Sequence, residues 1–365
     1  MLGGGPGGAG AALVLARAGI DVTLFVPSRP GEKPCGGAVP EFLLPRIPGF
    51  DASSLPAVAA PRAVLENGRG SSLDLDLGGV RIFRRGDLDP ALRRAAAQAG
   101  AVVAARAEAL ELGRDSVVVR AGGENCRFDW VIGADGARGL SRRALGLAPE
   151  GESVGMGASL RGVEGERLVL SFAGEGDAYA WIFPRPGGVS VGVAFSPDTL
   201  RDGAARRQLD ELLDRHLPAG WRAAPGPRYR YPIPVFGPWT SAAVARGLER
   251  RLLLVGDAAA MADPLTREGI RYAALSGMWA AEALAAGRPG GYLERLREAW
   301  VGEMERAARA RRLFFEGPIG QWMVPVARHH AGVRGVLEEL LACRLEYRDL
   351  RRSLLRAAFA RRSAA

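Results

Sequence analysis

Lysine is almost absent from this chain of 365 residues: Lys33 is the only one, and arginine carries nearly all the positive charge. The abundance of Ala, Gly and Arg reads as GC-rich codon usage. Cysteine is also scarce, and Cys35, Cys126 and Cys343 lie far apart. An odd, sparse set excludes a disulfide framework and fits a reducing cytoplasm. No CxxC or Cys/His cluster is present, so no metal site is expected. His216, His329 and His330 fall outside every motif, and no Ser/His/Asp set assembles. Long apolar runs are missing as well. The most apolar stretch, 272–286, is too short to cross a bilayer and contains Glu282. With no signal segment visible ahead of the first motif, a cytoplasmic protein is expected.

The net charge of +9 is uneven: from Glu305 to the C-terminus there are thirteen arginines against six acidic residues. A basic end suits nucleic acid, an anionic membrane or a solvated helix. No nucleic-acid motif and no interleaved aromatic platform is present, so nucleic acid is not expected as a partner. The segment "YRDLRRSLLRAAFARR" (347–362) sets leucines and a phenylalanine opposite arginines. Such a helix suits either peripheral contact with the inner face of a membrane or packing on the protein body.

The chain opens "MLGGGPGGAG", a G-x-G-x-x-G pattern formed by Gly3, Gly5 and Gly8. A helix over 9–18 and a β-rich run, Ile20–Phe25, follow at the distances of a nucleotide-binding βαβ unit. In such a loop glycines let the backbone approach a pyrophosphate, and the next helix offers free N–H groups. Only Met1 and Leu2 precede it, too few for a strand, and the lost strand would cost the core several kcal/mol. The expectation is a truncated first strand and a start placed several codons too late. The acidic residue that holds the adenosine ribose is also missing: its place is Val26, so either adenosine binding is weakened or Arg29 or Glu32 takes over.

Further on, Arg84–Gly100 reads as a helix with a capping Asp, and Arg127–Gly139 as a strand entering a glycine turn. Alternating segments between about 155 and 237 suggest an antiparallel sheet. Arg251–Ala259 returns to a buried strand and turn, a long helix follows, and the remainder is helical. The fold class expected is α/β, α+β overall: a Rossmann-type domain with an inserted antiparallel sheet and a helical C-terminus. The expected boundaries are 1–60, 80–150 and 245–300 for the discontinuous nucleotide-binding domain, 61–79 and 151–244 for the sheet domain, and 301–365 for the helical region.

Three separated motifs, the glycine loop, "GADGARGLSRR" (133–143) and "VGDAAAMADPLTREGIRYAALSG" (255–277), resemble the flavoprotein hydroxylase superfamily of FAD-dependent enzymes. Within it, "KPCGGAVP", "YAWIFP", "DPLTREGIRYA" and "LEYRDLRRSLL" resemble the geranylgeranyl reductase family. The resemblance covers essentially the whole chain. It implies that Gly256-Asp257 holds the FAD ribityl hydroxyls. It implies that Asp135-Gly136, with Arg142 nearby, closes over the pyrophosphate, and that Arg85 stands near the cofactor. Arg267–Ile270 would begin the long helix, whose free N–H groups would face the flavin, with Pro264 and Gly269 at the cofactor. Two positions depart from the pattern: Arg267 and Gly139 stand where the family usually has Gly and Ser.

On the substrate side, Tyr179, Trp181 and Phe183 alternate on a strand and share one face. The resemblance makes that face the wall of a substrate cavity suited to a prenyl lipid, although the same three side chains could equally be sheet core. Cys35 would sit in a loop near the flavin, where its thiol either supplies or positions a proton or simply packs. The reading is an FAD-dependent reductase of prenyl C=C bonds, supplied by NAD(P)H or a ferredoxin-type donor. Two alternatives stand beside it. One is a flavin monooxygenase or halogenase, although the W-x-W-x-I-P pattern of halogenases is altered at Tyr179 and Phe183 and only Lys33 could be their lysine. The other is a flavin-poor, inactive relative, favoured by the short start and Val26.

Overall fold

The computed structural model describes residues 1–27, 32–60, 62–68, 70–147, 153–172, 176–317 and 319–359. The first sheet is parallel. Val102–Ala104 pairs with Thr23–Phe25, and Val131–Gly133 pairs with Leu252–Leu254. Between these pairs stands Leu2, bridged in parallel to Phe25 on one side and Gly133 on the other. The Leu2 N–H donates to Ile132 O and the Ala134 N–H donates to Leu2 O, both at 2.9 Å. Numbered along the chain, the positions run third, second, first, fourth, fifth across the sheet, which is the Rossmann order.

The first strand is truncated, as expected, to the isolated bridges of Leu2. Met1 and Leu2 form no strand of their own, yet Leu2 is buried at 2% exposure in the central position. The Met1 amine donates to Thr23 O at 2.6 Å. One residue suffices to join the two halves because Phe25 and Gly133 supply ladder partners on both sides.

The glycine loop feeds the helix Pro6–Arg17, with Gly5 as N-cap and Pro6 at the first helical position, where a missing N–H costs nothing. This helix packs on the long helix Ile270–Ala285 through small residues: a Cβ on Gly277 would lie 2.1 Å from Gly7 O. The helix Arg85–Gln98 lacks the expected Asp cap. Its N-cap is Arg84, with no side-chain cap bond, because both aspartates lie inside the helix: Asp87 in the first turn and Asp89 paired with Arg85 at 2.8 Å.

The second sheet has seven strands in the order Arg228–Ile233, Ser153–Arg161, Gly188–Phe195, Ala178–Arg185, Leu168–Phe172, Arg62–Asn67, Ser72–Asp76. It is antiparallel except where Leu168–Phe172 meets Arg62–Asn67. The helix Asp202–His216 buries Leu209, Leu212 and Leu213 against one face. Near the other end, the helices Ile319–His329 and Ala331–Leu341 bury Val324, Ala327, Val333 and Leu337 against the strands at 62–76. The last helix, Tyr347–Phe359, follows.

Candidate active site

The glycine loop is shaped by contacts that only glycine permits. Gly3 has φ +92°, and a Cβ there would lie 2.4 Å from Ala134 O and 2.9 Å from Asp135 Cα. A Cβ on Gly8 would lie 1.9 Å from Gly3 O. The loop is thus pressed against the Asp135-Gly136 turn, which joins two of the sequence motifs. Around Gly5 the space is open: the nearest atoms to a Cβ would be Arg85 Nη2 at 3.6 Å and Asp89 Oδ2 at 4.0 Å. An anion can therefore reach the helix N-terminus. Arg85, buried at 4% exposure, is held in place by Asp89 through two bonds of 2.8 Å. Burial works against its charge, and Asp89 outweighs that, so the guanidinium stays protonated.

Arg93 was not visible in the motifs. It reaches from the Arg85–Gln98 helix to donate to Gly4 O at 3.2 Å. Val26 packs under the loop, with Cγ1 2.5 Å from where a Cβ on Gly4 would be. Neither proposed substitute for the ribose carboxylate is placed there: Glu32 accepts from Arg185 at 2.7 Å, and Arg29 lies outside the described residues.

Asp135 folds back onto the start of the Leu140–Ala144 helix, accepting from the Ser141 N–H at 3.0 Å and from the Ser141 hydroxyl. Burial raises its carboxyl and the Ser141 bonds oppose that rise. A Cβ on Gly139 would lie 2.1 Å from Asp135 Cγ. Glycine at 139 is the room this carboxylate needs, which accounts for one departure from the family pattern. Arg142, 6% exposed, donates to Ala258 O at 3.1 Å. It stands within electrostatic reach of both Asp257 and Asp135.

The Gly256–Ala259 turn begins at φ +55° and presents Asp257. Its Oδ2 accepts from Lys33 Nζ at 2.6 Å, tying the cysteine loop to the turn. Burial disfavours the Lys33 charge, Asp257 favours it, and the net result is a raised pKa. The other carboxylate oxygen faces the helix start, 3.6 Å from where a Cβ on Gly269 would be. Gly269 is the N-cap of Ile270–Ala285, so the long helix begins at Ile270.

Arg267 lies outside that helix, at φ +55°, a conformation that favours glycine. Here an arginine adopts it and is held by three bonds: to Asp177 Oδ1 at 2.6 Å, Ser153 Oγ at 3.1 Å and Leu265 O at 2.8 Å. Arg311, from the Gly302–Phe315 helix, donates to the other oxygen of Asp177. The second departure from the family pattern is therefore a buried Arg–Asp–Arg tie. Beside it, Pro264 follows Asp263, whose Oδ1 accepts from the Leu265 and Thr266 N–H groups at 2.8 Å and from the Tyr347 hydroxyl at 3.0 Å. Tyr347 belongs to the tail motif, so the tail closes on the flavin motif.

Tyr179, Trp181 and Phe183 stand on one sheet face, ring centroids 6.0 and 6.3 Å apart. The register sets small residues opposite them. Trp181 pairs with Gly192, Gly192 with Gly157, and Gly157 with Tyr229. Tyr179, Ala194, Gly155 and Tyr231 make the next row. The face is thus a trough with aromatic walls and a floor of Gly, Ala and Ser. The indole of Trp181 leans over Gly192, with Cζ2 2.3 Å from where a Cβ would be, and the Tyr229 hydroxyl leans over Gly157 at 2.8 Å. The Tyr179 hydroxyl donates to Thr266 O at 2.7 Å, which ties the wall to the flavin motif.

The Cys35 loop lies along this trough. Cys35 O accepts from Ser190 Oγ at 3.1 Å and the Gly37 N–H donates to Cys35 Sγ at 3.4 Å, with Arg85 within electrostatic reach of the thiol. A Cβ on Gly36 would lie 2.6 Å from the Phe183 ring. Elsewhere, burial pushes the Cys343 thiol up to about 12, and His216 is engaged by Glu66 at 2.7 Å.

The fold and the site define an FAD-dependent oxidoreductase. The family model described as "FAD binding domain" matches residues 60–313. The geranylgeranyl diphosphate reductase of Rhodobacter capsulatus is 30% identical, over 79% of this chain and 76% of that one. The chain belongs to the geranylgeranyl reductase family. Among solved structures, a geranylgeranyl bacteriochlorophyll reductase-like protein from Thermoplasma acidophilum has the same fold, with TM-score 0.71, 22% identity and 98% of both chains covered. A flavin-dependent brominase shares it at TM-score 0.68 and 17% identity, also over 98% of both chains.

The residues present fit FAD. The open cradle at Gly5, two helix N-termini, Arg142 and the carboxylates of Asp135 and Asp257 converge. Among the described residues, Val26 and the Arg93 side chain pack side by side under Gly4.

Proposed function

We propose that this enzyme reduces C=C bonds of a prenyl lipid of the geranylgeranyl type. The observation that carries the reading is the trough: aromatic walls, a floor of small residues, and the Cys35 loop laid along it. An isoprenoid chain buried there gains about 0.8 kcal/mol per CH₂ removed from water. FAD, once reduced by NAD(P)H or a ferredoxin-type donor, supplies the hydride. The protein supplies the rest. Tyr179, Trp181 and Phe183 hold the chain flat and exclude water. In this reading the Cys35 thiol would supply the proton for the second alkene carbon, with the Gly37 N–H holding its sulfur. Gly3, Gly5, Gly8, Asp135, Gly136, Arg142, Gly256, Asp257, Pro264, Gly269 and Ile270 hold the cofactor.

The test is anaerobic incubation of the FAD-loaded chain with a reductant and geranylgeranyl diphosphate, read by mass spectrometry. A product heavier by two hydrogens per reduced bond supports the reading. No such product, together with NAD(P)H consumption that requires oxygen, would overturn it in favour of a monooxygenase.

A further inference from the structure

The helix Ile319–His329 is apolar on both sides. Val324 and Ala327 are buried against the seven-stranded sheet, and Asn67 Nδ2 donates to Gln321 O at 3.2 Å, which fixes the helix's rotation. That rotation turns Ile319, Trp322 and Val326, spaced by three and four, to solvent at 46%, 62% and 47% exposure. Leu313, 58% exposed, adds to them from the end of the preceding helix. Among the described residues nine large hydrophobics are exposed, and four of them fall between 313 and 326. A cluster of this kind marks an interaction surface.

The charge around it is mostly positive. Between 306 and 337 the chain holds six arginines and a single acidic residue, Glu316. Arg309, Arg312 and Arg328 are exposed. A second copy packed symmetrically on this face would set those arginines against their own counterparts. An anionic lipid surface matches both features: apolar side chains enter the head-group boundary and arginines meet phosphates.

We propose that Leu313, Ile319, Trp322 and Val326, rimmed by Arg309, Arg312 and Arg328, dock this protein on an anionic bilayer. An aromatic row starts directly behind the patch. Phe314 and Phe315 lie 4.6 and 6.0 Å from Phe172, and Phe172 lies 6.2 Å from Tyr179. The patch therefore stands at the outer end of the row that leads to Trp181. Only this last link rests on the prenyl-lipid reading; the docking does not.

The test is flotation of the full FAD-loaded chain with vesicles of phosphatidylcholine alone and of phosphatidylcholine mixed with phosphatidylglycerol. Binding at least about tenfold stronger to the anionic vesicles is expected, weakening with salt. Trp322→Glu and Ile319→Glu should lose most of it. Retained flavin absorbance in both variants shows that they are folded. Unchanged flotation of these folded variants would overturn the proposal, as would a wild-type dimer in sedimentation that Trp322→Glu dissociates. Turnover of a detergent-dispersed prenyl substrate should be the same in Trp322→Glu and wild type. If wild type reduces no prenyl substrate while flotation behaves as described, the functional reading fails and the docking surface stands.

Discussion

Lys33 holds Asp257 at 2.6 Å across 224 residues of sequence, so the only lysine of the chain fastens the cysteine loop to the turn that faces the flavin helix. The pair is partly exposed, Lys33 at 36% and Asp257 at 15%, and its contribution to global stability should be small, about 1 kcal/mol or less. Its effect should be local. Lys33→Met is expected to leave the unfolding midpoint nearly unchanged and to raise the alkylation rate of Cys35 several-fold, followed by peptide mass spectrometry. An unchanged rate would show that the loop's other ties, at Glu32 and Ser190 among them, hold it without Lys33.

The Arg267–Asp177–Arg311 tie is buried, with Asp177 at 4% side-chain exposure. Removing its single negative charge strands two guanidinium groups. Asp177→Ala should cost about 3–5 kcal/mol in urea unfolding. Replacing all three by apolar residues of similar volume should recover much of that loss. If Asp177→Ala alone costs under about 1 kcal/mol, the tie is not a structural element.

Gly3 carries φ +92° and no space for a Cβ. Gly3→Ala should push the loop away from Ala134 and abolish the flavin absorbance of the purified protein. Retention of a full complement of FAD would remove the loop from the cofactor site.

In the trough, Gly192→Ala places a methyl where the Trp181 indole now lies. Overpacking of this kind costs about 1–3 kcal/mol. The near-ultraviolet dichroism should change as the ring is displaced, and KM for a prenyl substrate should rise more than kcat falls. An unaltered aromatic signal would mean that the indole does not rest on Gly192.

Glu268 lies just before Gly269, the N-cap of the helix Ile270–Ala285. Burial raises its carboxyl above the ordinary 4.5, and Arg271 opposes the rise. The folded state therefore keeps this proton to higher pH than the unfolded chain, so folding stability falls as pH rises from about 4.5 through the folded value. Glu268→Gln retains an acceptor for the Arg271 N–H, now 2.7 Å away, and removes the titration. Its stability should match wild type below pH 4 and exceed it at neutral pH, measured by urea midpoints. A constant difference at every pH would contradict this.

The parts of the site that were legible in the sequence are those made by short-range backbone geometry. Gly3, Gly5 and Gly8, the Asp135-Gly136 turn and the Gly256-Asp257 turn announce themselves because tight turns need particular residues at fixed spacing. Period two likewise placed Tyr179, Trp181 and Phe183 on one face. What escaped depends on register between distant strands or on long side chains. The trough floor requires knowing that Gly157 and Gly192 are neighbours, although "VGMG" and "VSVGV" carry the small residues at alternate positions. Arg93 at Gly4 and Glu32 at Arg185 are reaches that no local pattern encodes. Arg267 was read as an oddity because sequence does not reveal that an arginine can adopt a glycine's conformation when Asp177 holds its far end. The truncation of the first strand was legible from the two residues ahead of the glycine loop, whereas the support that Leu2 still draws from both neighbours was not.

That central place of Leu2 has a consequence for how the protein comes into being during synthesis. The first sheet takes its members from residues 2, 23–25, 102–104, 131–133 and 252–254, whereas every strand of the second sheet has been made by residue 233. On a ribosome the inserted sheet can close first. The half-built first sheet must wait, with the Val131–Gly133 edge open, until Leu252–Leu254 and then the long helix emerge. Contacts this distant in sequence slow folding and leave strand edges unguarded meanwhile. The glycine loop, translated first, is among the last parts of the molecule to acquire its shape.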